Sequence, residues 1–279
     1  MVPVLIITAI GLVCGALIYV GFLKIPQKVQ GLEKTEEINA ILPGRNCAAC
    51  GFPGCFGFAQ ALTKNPELIR SVTCGMTAQD PEKLAKLGKA LGIELDAAAL
   101  AKKALVHCAG NSEAIFDYEG IETCKAAAQL LSGQKKCPYA CLGLGDCVNI
   151  CPEGAISIDP DTKVAKIDWN KCIGCGLCVK ECPRGIIELV SPGTKIAHRC
   201  SYIPLRNIPG RERCEFGCTH CQLCFKACEA GAITWNKEKG IPEFDSAKCT
   251  LCLACVEACP TRVLTVVTRE KEEAKVAAA

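Results

Sequence analysis

The sequence predicts an α+β fold: one apolar helix at the N-terminus, a small helical domain, and then tandem lobes of short helices and strands. Three observations carry this. Residues 2–23 contain no charged side chain. Cysteine supplies 25 of the 279 residues, crowded into tight runs. From Cys137 onward a unit of cysteine, turn and short β-like run recurs, opening at Cys151, Cys182, Cys228 and Cys259.

The first element is V-P-V-L-I-I-T-A-I-G-L-V-C-G-A-L-I-Y-V-G-F-L, Val2 to Leu23, whose 22 residues suffice to span a bilayer as a helix. Lys24 and Lys28 follow it, whereas a secretory signal carries its charge ahead of a shorter apolar core. The positive-inside rule then places the rest of the chain in the cytoplasm, as a single-pass protein of the cytoplasmic membrane. Gly11 and Gly15 would allow close approach of a second helix. Cys14, inside the span, reads as a small apolar residue. The anchor is assigned to 1–24 and a polar linker to 25–34.

The cysteines predict bound metal and not disulfides. Most stand too close together to pair within a run, their number is odd, and a cytoplasmic domain is reducing. Aromatic residues make up only 5% of the chain, so metal cross-links would substitute for part of the core. In the first domain, 35–76, Cys47, Cys50, Cys55 and Cys74 have the spacing C-x2-C-x4-C-x18-C. Structural zinc usually takes two separated C-x2-C knuckles, so a compact triplet with a distant fourth ligand predicts an iron–sulfur cluster. Glycines 51, 54 and 57 let the backbone bend around it. A helical connector, 77–130, follows: residues 80–105 keep a helical period, with Asp80 as cap, Pro81 as first helical residue, a break at Gly92 and lysines facing solvent.

Two modules are assigned to 131–192 and 193–268. C-I-G-C-G-L-C-V-K-E-C-P at 172 and C-T-L-C-L-A-C-V-E-A-C-P at 249 match the run of bacterial two-cluster ferredoxins, in which the fourth cysteine ligates the other cluster. Cys151 precedes Cys172 by 21 residues, as Cys228 precedes Cys249, and 31 residues separate Cys147 from Cys178 and Cys224 from Cys255. Crossed ligation then predicts Cys137, Cys141, Cys147 and Cys182 for one cluster, and Cys172, Cys175, Cys178 and Cys151 for the next. The second module would use Cys218, Cys221, Cys224 and Cys259, and Cys249, Cys252, Cys255 and Cys228. Two departures stand out. The first triplet is stretched to C-x3-C-x5-C, with glycines 143 and 145 to bulge the loop, and Glu229 replaces the usual proline after Cys228.

Four cysteines remain, Cys108, Cys124, Cys200 and Cys214, which would hold a sixth [4Fe-4S] cluster, stay as buried thiols, or exchange a ligand with the stretched triplet. Histidines 107, 198 and 220 lie close to cysteines, where they would donate hydrogen bonds or one would serve as a ligand. The formal charge of +3 counts thiols as neutral. Each four-iron, four-thiolate cluster adds roughly −2, so the lysine excess offsets the clusters and is not a nucleic-acid patch. No P-loop, dinucleotide G-x-G-x-x-G or nucleophile–base arrangement is evident, and the tail, 269–279, reads as solvated.

An apolar N-terminal helix, a C-x2-C-x4-C-x18-C domain and ferredoxin modules in that order resemble the family of B subunits of the Rnf complex, an ion-translocating, ferredoxin-linked membrane oxidoreductase. N-C-A-A-C-G-F-P-G-C at 46–55 and C-L-G-L-G-D-C-V at 141–148 carry the likeness, which covers residues 1–268. Two modules instead of one match the family's long form. The resemblance implies an electron-transfer subunit without a catalytic site of its own. It would take electrons from soluble reduced ferredoxin and pass them to membrane subunits of the complex, with ion pumping done elsewhere. The anchor's position suggests entry at the C-terminal modules and exit at residues 47–74. Two rivals are a polyferredoxin subunit of a hydrogenase or formate dehydrogenase, and a zinc-binding interaction scaffold.

Overall fold

The computed structural model describes residues 11–20, 32–110, 112–203 and 212–267. The predicted anchor lies mostly outside them. Its residues 11–20 are helical, with Leu12, Val13, Leu17 and Ile18 exposed. Among the described residues no helix is long and apolar enough to cross a membrane. Lys24, Lys28, most of the linker and the tail also fall outside.

The first lobe packs three helices, α1 (Leu32–Ile41), α2 (Cys55–Lys64) and α3 (Pro81–Leu91), on Ile38, Phe58, Leu62, Ile69 and Leu87. Helix α3 starts and stops as its sequence dictates. Asp80 accepts from the Lys83 N–H at 3.2 Å, Pro81 opens the first turn, and Gly92 ends the helix at φ 75°, a conformation that glycine adopts without strain.

Beyond Gly92 the chain departs from the helical period. A single turn at Ala97–Leu100 leads into a strand, β1 (Lys103–Val106), whose four residues are all buried. The cause is tertiary: β1 pairs antiparallel with β4 (Ile187–Val190), far along the chain, from Lys103 opposite Val190 to Val106 opposite Ile187. Lys103 therefore does not face solvent. Its Nζ donates to Gln79 Oε1 at 2.8 Å and to the Cys172 carbonyl at 2.6 Å.

β1 and β4 frame the hairpin of β2 (Ile156–Ile158) and β3 (Ala165–Ile167). The second module repeats the plan: β5 (Ile196–His198) pairs with β8 (Leu264–Val266) around the hairpin of β6 (Ile233–Asn236) and β7 (Ile241–Phe244). The first module thus draws its opening strand from the segment that the sequence assigned to the connector. From Cys137 onward one offset of 77 residues relates the modules, carrying Cys151 to Cys228, Cys172 to Cys249, Cys182 to Cys259 and Ile187 to Leu264. It also carries left-handed backbone: Gly145 (φ 85°) answers to Gln222 (φ 61°) and Gly174 (φ 66°) to Leu251 (φ 60°). Glycine is obligatory at 174, where a Cβ would collide with the Lys102 carbonyl oxygen.

The first lobe docks on the first module. A Cβ on Gly75 would collide with the Ile173 carbonyl, Gln79 Nε2 donates to the Cys172 carbonyl at 3.1 Å, and Arg45 pairs with Glu153.

Candidate metal centres

Four small cavities are each walled by four cysteines. Cys47, Cys50, Cys55 and Cys74 line the first, which Cys175 of the next set also reaches. The glycine-rich turn builds it: the Asn46 side chain accepts from the Cys55 N–H at 2.8 Å and fills the space beside Gly54. Cys151, Cys172, Cys175 and Cys178 line the second, with Sγ of Cys172 taking N–H bonds from Gly174 at 3.4 Å and Ala104 at 3.5 Å. Cys218, Cys221, Cys224 and Cys259 line another. Cys228, Cys249 and Cys252 surround Cys255 closely enough that their charges, after burial, push its thiol up.

The remaining cavity departs from the arrangement predicted for the stretched triplet. Its cysteines are Cys124, Cys141, Cys147 and Cys182, and Cys137 is not among them. Applied to Cys221, the offset explains why: its counterpart is Leu144, which has no thiol to offer. The thiol of Cys124 takes that place, accepting from the backbone N–H groups of Leu144 and Asp146. A short helix, Cys124–Gln129, delivers it. Thr123 caps that helix, and the buried Asp146 carboxylate accepts from the N–H groups of Cys124 at 2.8 Å and Lys125 at 3.0 Å. Cys137 instead stands against Cys214, with Cys200 near.

The donor chemistry suits an anionic cluster. Burial first, then neighbouring cysteines, pushes Cys147 and Cys178 up to about 12 and Cys224 up to about 11. Such thiols stay neutral at pH 7, and four of them become thiolates together only when a bound cationic centre displaces their protons. Backbone N–H groups already point at sulfur: Ala155 to Cys151 at 3.3 Å, and His220 to Cys218 at 3.4 Å. In the cavity of Cys218 the buried His198 leaves its Nε2 without a hydrogen-bond partner among the described residues, and a cluster sulfur would satisfy it. Burial, with His107 and His220 nearby, lowers His198 to about 4, so its imidazole is neutral. Among the described residues no group of three or more His, Cys, Asp or Glu closes on a point as a single metal ion requires. The thiols line cavities instead.

Paired strands around crossed cysteine sets define a multi-cluster ferredoxin. A family model for the 4Fe-4S dicluster domain matches residues 134–186 and 217–263, and one for an Fe-S cluster matches 42–69. Among curated proteins the chain is 34% identical to the B subunit of an ion-translocating oxidoreductase complex of Methanosarcina acetivorans, over 85% of this chain and 88% of that one. It is 32% identical to the B subunit of a proton-translocating ferredoxin:NAD(+) oxidoreductase complex of Clostridium ljungdahlii, over 92% and 88%. It is 33% identical to the Na(+)-translocating counterpart of Acetobacterium woodii, over 80% of this chain and 65% of that one. The chain belongs to the family of B subunits of ion-translocating oxidoreductase complexes, the Rnf complexes. It is an iron–sulfur electron-transfer subunit, and the other subunits of its complex are its partners.

Proposed function

We propose that this chain takes electrons from reduced soluble ferredoxin at its second module and delivers them to membrane subunits from its first lobe. A bound cluster supplies one-electron transfer, and the chain's residues hold, order and insulate the sites. The carrying observation is that the cysteine sets adjoin one another within each half of the chain. Cys175 reaches the cavity of Cys47, Cys50, Cys55 and Cys74. Cys178 lies within electrostatic reach of Cys147, and Cys255 of Cys224. On this reading the set that opens the chain stands at one end of the file and the Cys249 set at the other.

Five [4Fe-4S] sites follow. Their ligands are Cys47, Cys50, Cys55 and Cys74; Cys151, Cys172, Cys175 and Cys178; Cys124, Cys141, Cys147 and Cys182; Cys218, Cys221, Cys224 and Cys259; and Cys228, Cys249, Cys252 and Cys255. The first module includes β1 as well as 131–192, and the second covers 193–268. Residues 2–23 anchor the chain as a single transmembrane helix, with Lys24 and Lys28 holding the iron–sulfur lobes on the cytoplasmic side. Two of the relatives are named for ferredoxin and NAD(+), and we carry both to the complex served by this chain.

The test uses the intact complex with Cys47→Ala. Ferredoxin should still bleach the C-terminal clusters while reduction of the membrane subunits stops. If coupling to the membrane subunits survives, the first lobe is not the exit. Metal analysis of anaerobically purified chain separates this reading from a zinc scaffold: iron with matching sulfide at about 20 per chain or more supports it, and a few zinc ions without sulfide end it.

A further inference from the structure

We propose that Cys108, Cys137, Cys200 and Cys214 form one further four-thiolate site, for a sixth iron–sulfur cluster, at the junction of the two modules. This rests on reading the chain as a multi-cluster ferredoxin and adds a ligand set drawn from both modules.

The backbone brings the four together as two pairs of counterparts. Cys108 and Cys200 each stand two residues beyond the first strand of their module, β1 and β5. They face each other in an isolated antiparallel bridge. The bridge sets one position of each module opposite its equivalent. The second pair obeys the 77-residue offset, which carries Cys137 to Cys214. Their flanks are joined twice: the Glu212 N–H donates to the Lys136 carbonyl at 3.3 Å, and Lys136 Nζ pairs with the Glu212 carboxylate at 3.1 Å. The two thiols stand against each other.

Each ligand is anchored. The Cys137 N–H donates to the buried Ser112 hydroxyl at 2.9 Å. Arg199 donates to the carbonyls of Val106 at 3.4 Å and Cys108 at 3.2 Å, tying β5 to the end of β1. Arg213 clasps the turn after Cys214 through the carbonyls of Cys214 at 2.8 Å and Gly217 at 2.9 Å. N–H groups of Tyr202 and Cys218 reach Cys200 Sγ at 3.4 and 3.3 Å, the donor pattern seen at the other sets. Buried thiols without metal would not call for two arginines beside them. An anionic cluster does.

The site also fills the one gap in the file. The Cys218 N–H bonds Cys200, and Cys141 lies within electrostatic reach of Cys108, so the four cysteines stand between the Cys218 set and the Cys141 set.

The experiment counts iron and acid-labile sulfide in the anaerobically reconstituted full chain and in pairs of Cys→Ala variants. Wild type should hold about 24 iron. Cys137→Ala/Cys214→Ala should lose about 4, no more than either single variant, because both ligands serve one cluster. Cys124→Ala/Cys214→Ala should lose about 8, because they serve two. The opposite result, about 8 for the first pair and about 4 for the second, overturns the ligand set. A wild-type count of about 20 overturns the sixth site without any variant, while leaving the electron-transfer reading standing. Zinc without sulfide would sink that reading instead.

Discussion

The two ferredoxin modules share strand order, hairpin and an offset of 77 residues, yet differ in how one cysteine position is filled. The second module supplies Cys218, Cys221 and Cys224 from a single loop. In the first, Leu144 occupies the middle position, and Cys124 enters from a helix twenty residues upstream that Asp146 caps. Such a site therefore specifies where sulfur must stand, not which loop brings it. A ligand can leave the run if a capped helix end restores its place.

The largest expected effect comes from exchanging the two solutions. Cys124→Ala should remove about four iron, and Cys221→Ala should remove as many from the other module. Adding Leu144→Cys to Cys124→Ala should restore them by giving the first module the second's ligand pattern. Iron and sulfide assays read both, and full iron retained by Cys124→Ala, or failure of the rescue, would break the comparison.

Next is the left-handed position that the modules fill differently. Gly174→Ala should cost about 1–3 kcal/mol, because the added methyl meets the Lys102 carbonyl. Leu251→Ala, where a leucine already fits at φ 60°, should cost less. Thermal unfolding of the metal-loaded chain measures the difference, and equal losses would mean that the loops are not equivalent.

Asp146→Ala should cost about 1–2 kcal/mol, the loss of a capping side chain, and should speed alkylation of Cys124 in cluster-depleted protein. An unchanged alkylation rate would show that the cap does not position the thiol. The smallest effect should be a gain: Gln222→Gly replaces a strained residue at φ 61° with the glycine that the first module uses at 145, stabilising by up to about 1 kcal/mol.

Much of this was legible because cluster ligation is local. Three cysteines within seven residues, as at 172–178 and 249–255, can bind one cluster with little help from the rest of the chain, so spacing alone predicts that they share a site. The capped start of α3 at Asp80 and its end at Gly92 were legible for the same reason. β1 was not, because its helical period could not report a partner strand at 187–190. Nor was the exchange between Cys124 and Cys137. A signal for half of it was present, since the offset that pairs Cys147 with Cys224 also pairs Cys137 with Cys214 and leaves Leu144 opposite Cys221. Nothing local says which cysteine replaces the missing one.

The sequence by itself determined the chemistry of this protein. Thiolates at ligand spacing, repeated in two modules, admit few functions other than moving electrons. The tertiary structure alone decided which thiols share a site where the repeat is broken. Cys124 reaches Leu144 only after Asp146 fixes a helix end, and Cys108 meets Cys200 only after β1 and β5 have paired with β4 and β8. Spacing encodes what one loop can reach, and packing encodes what two lobes bring together.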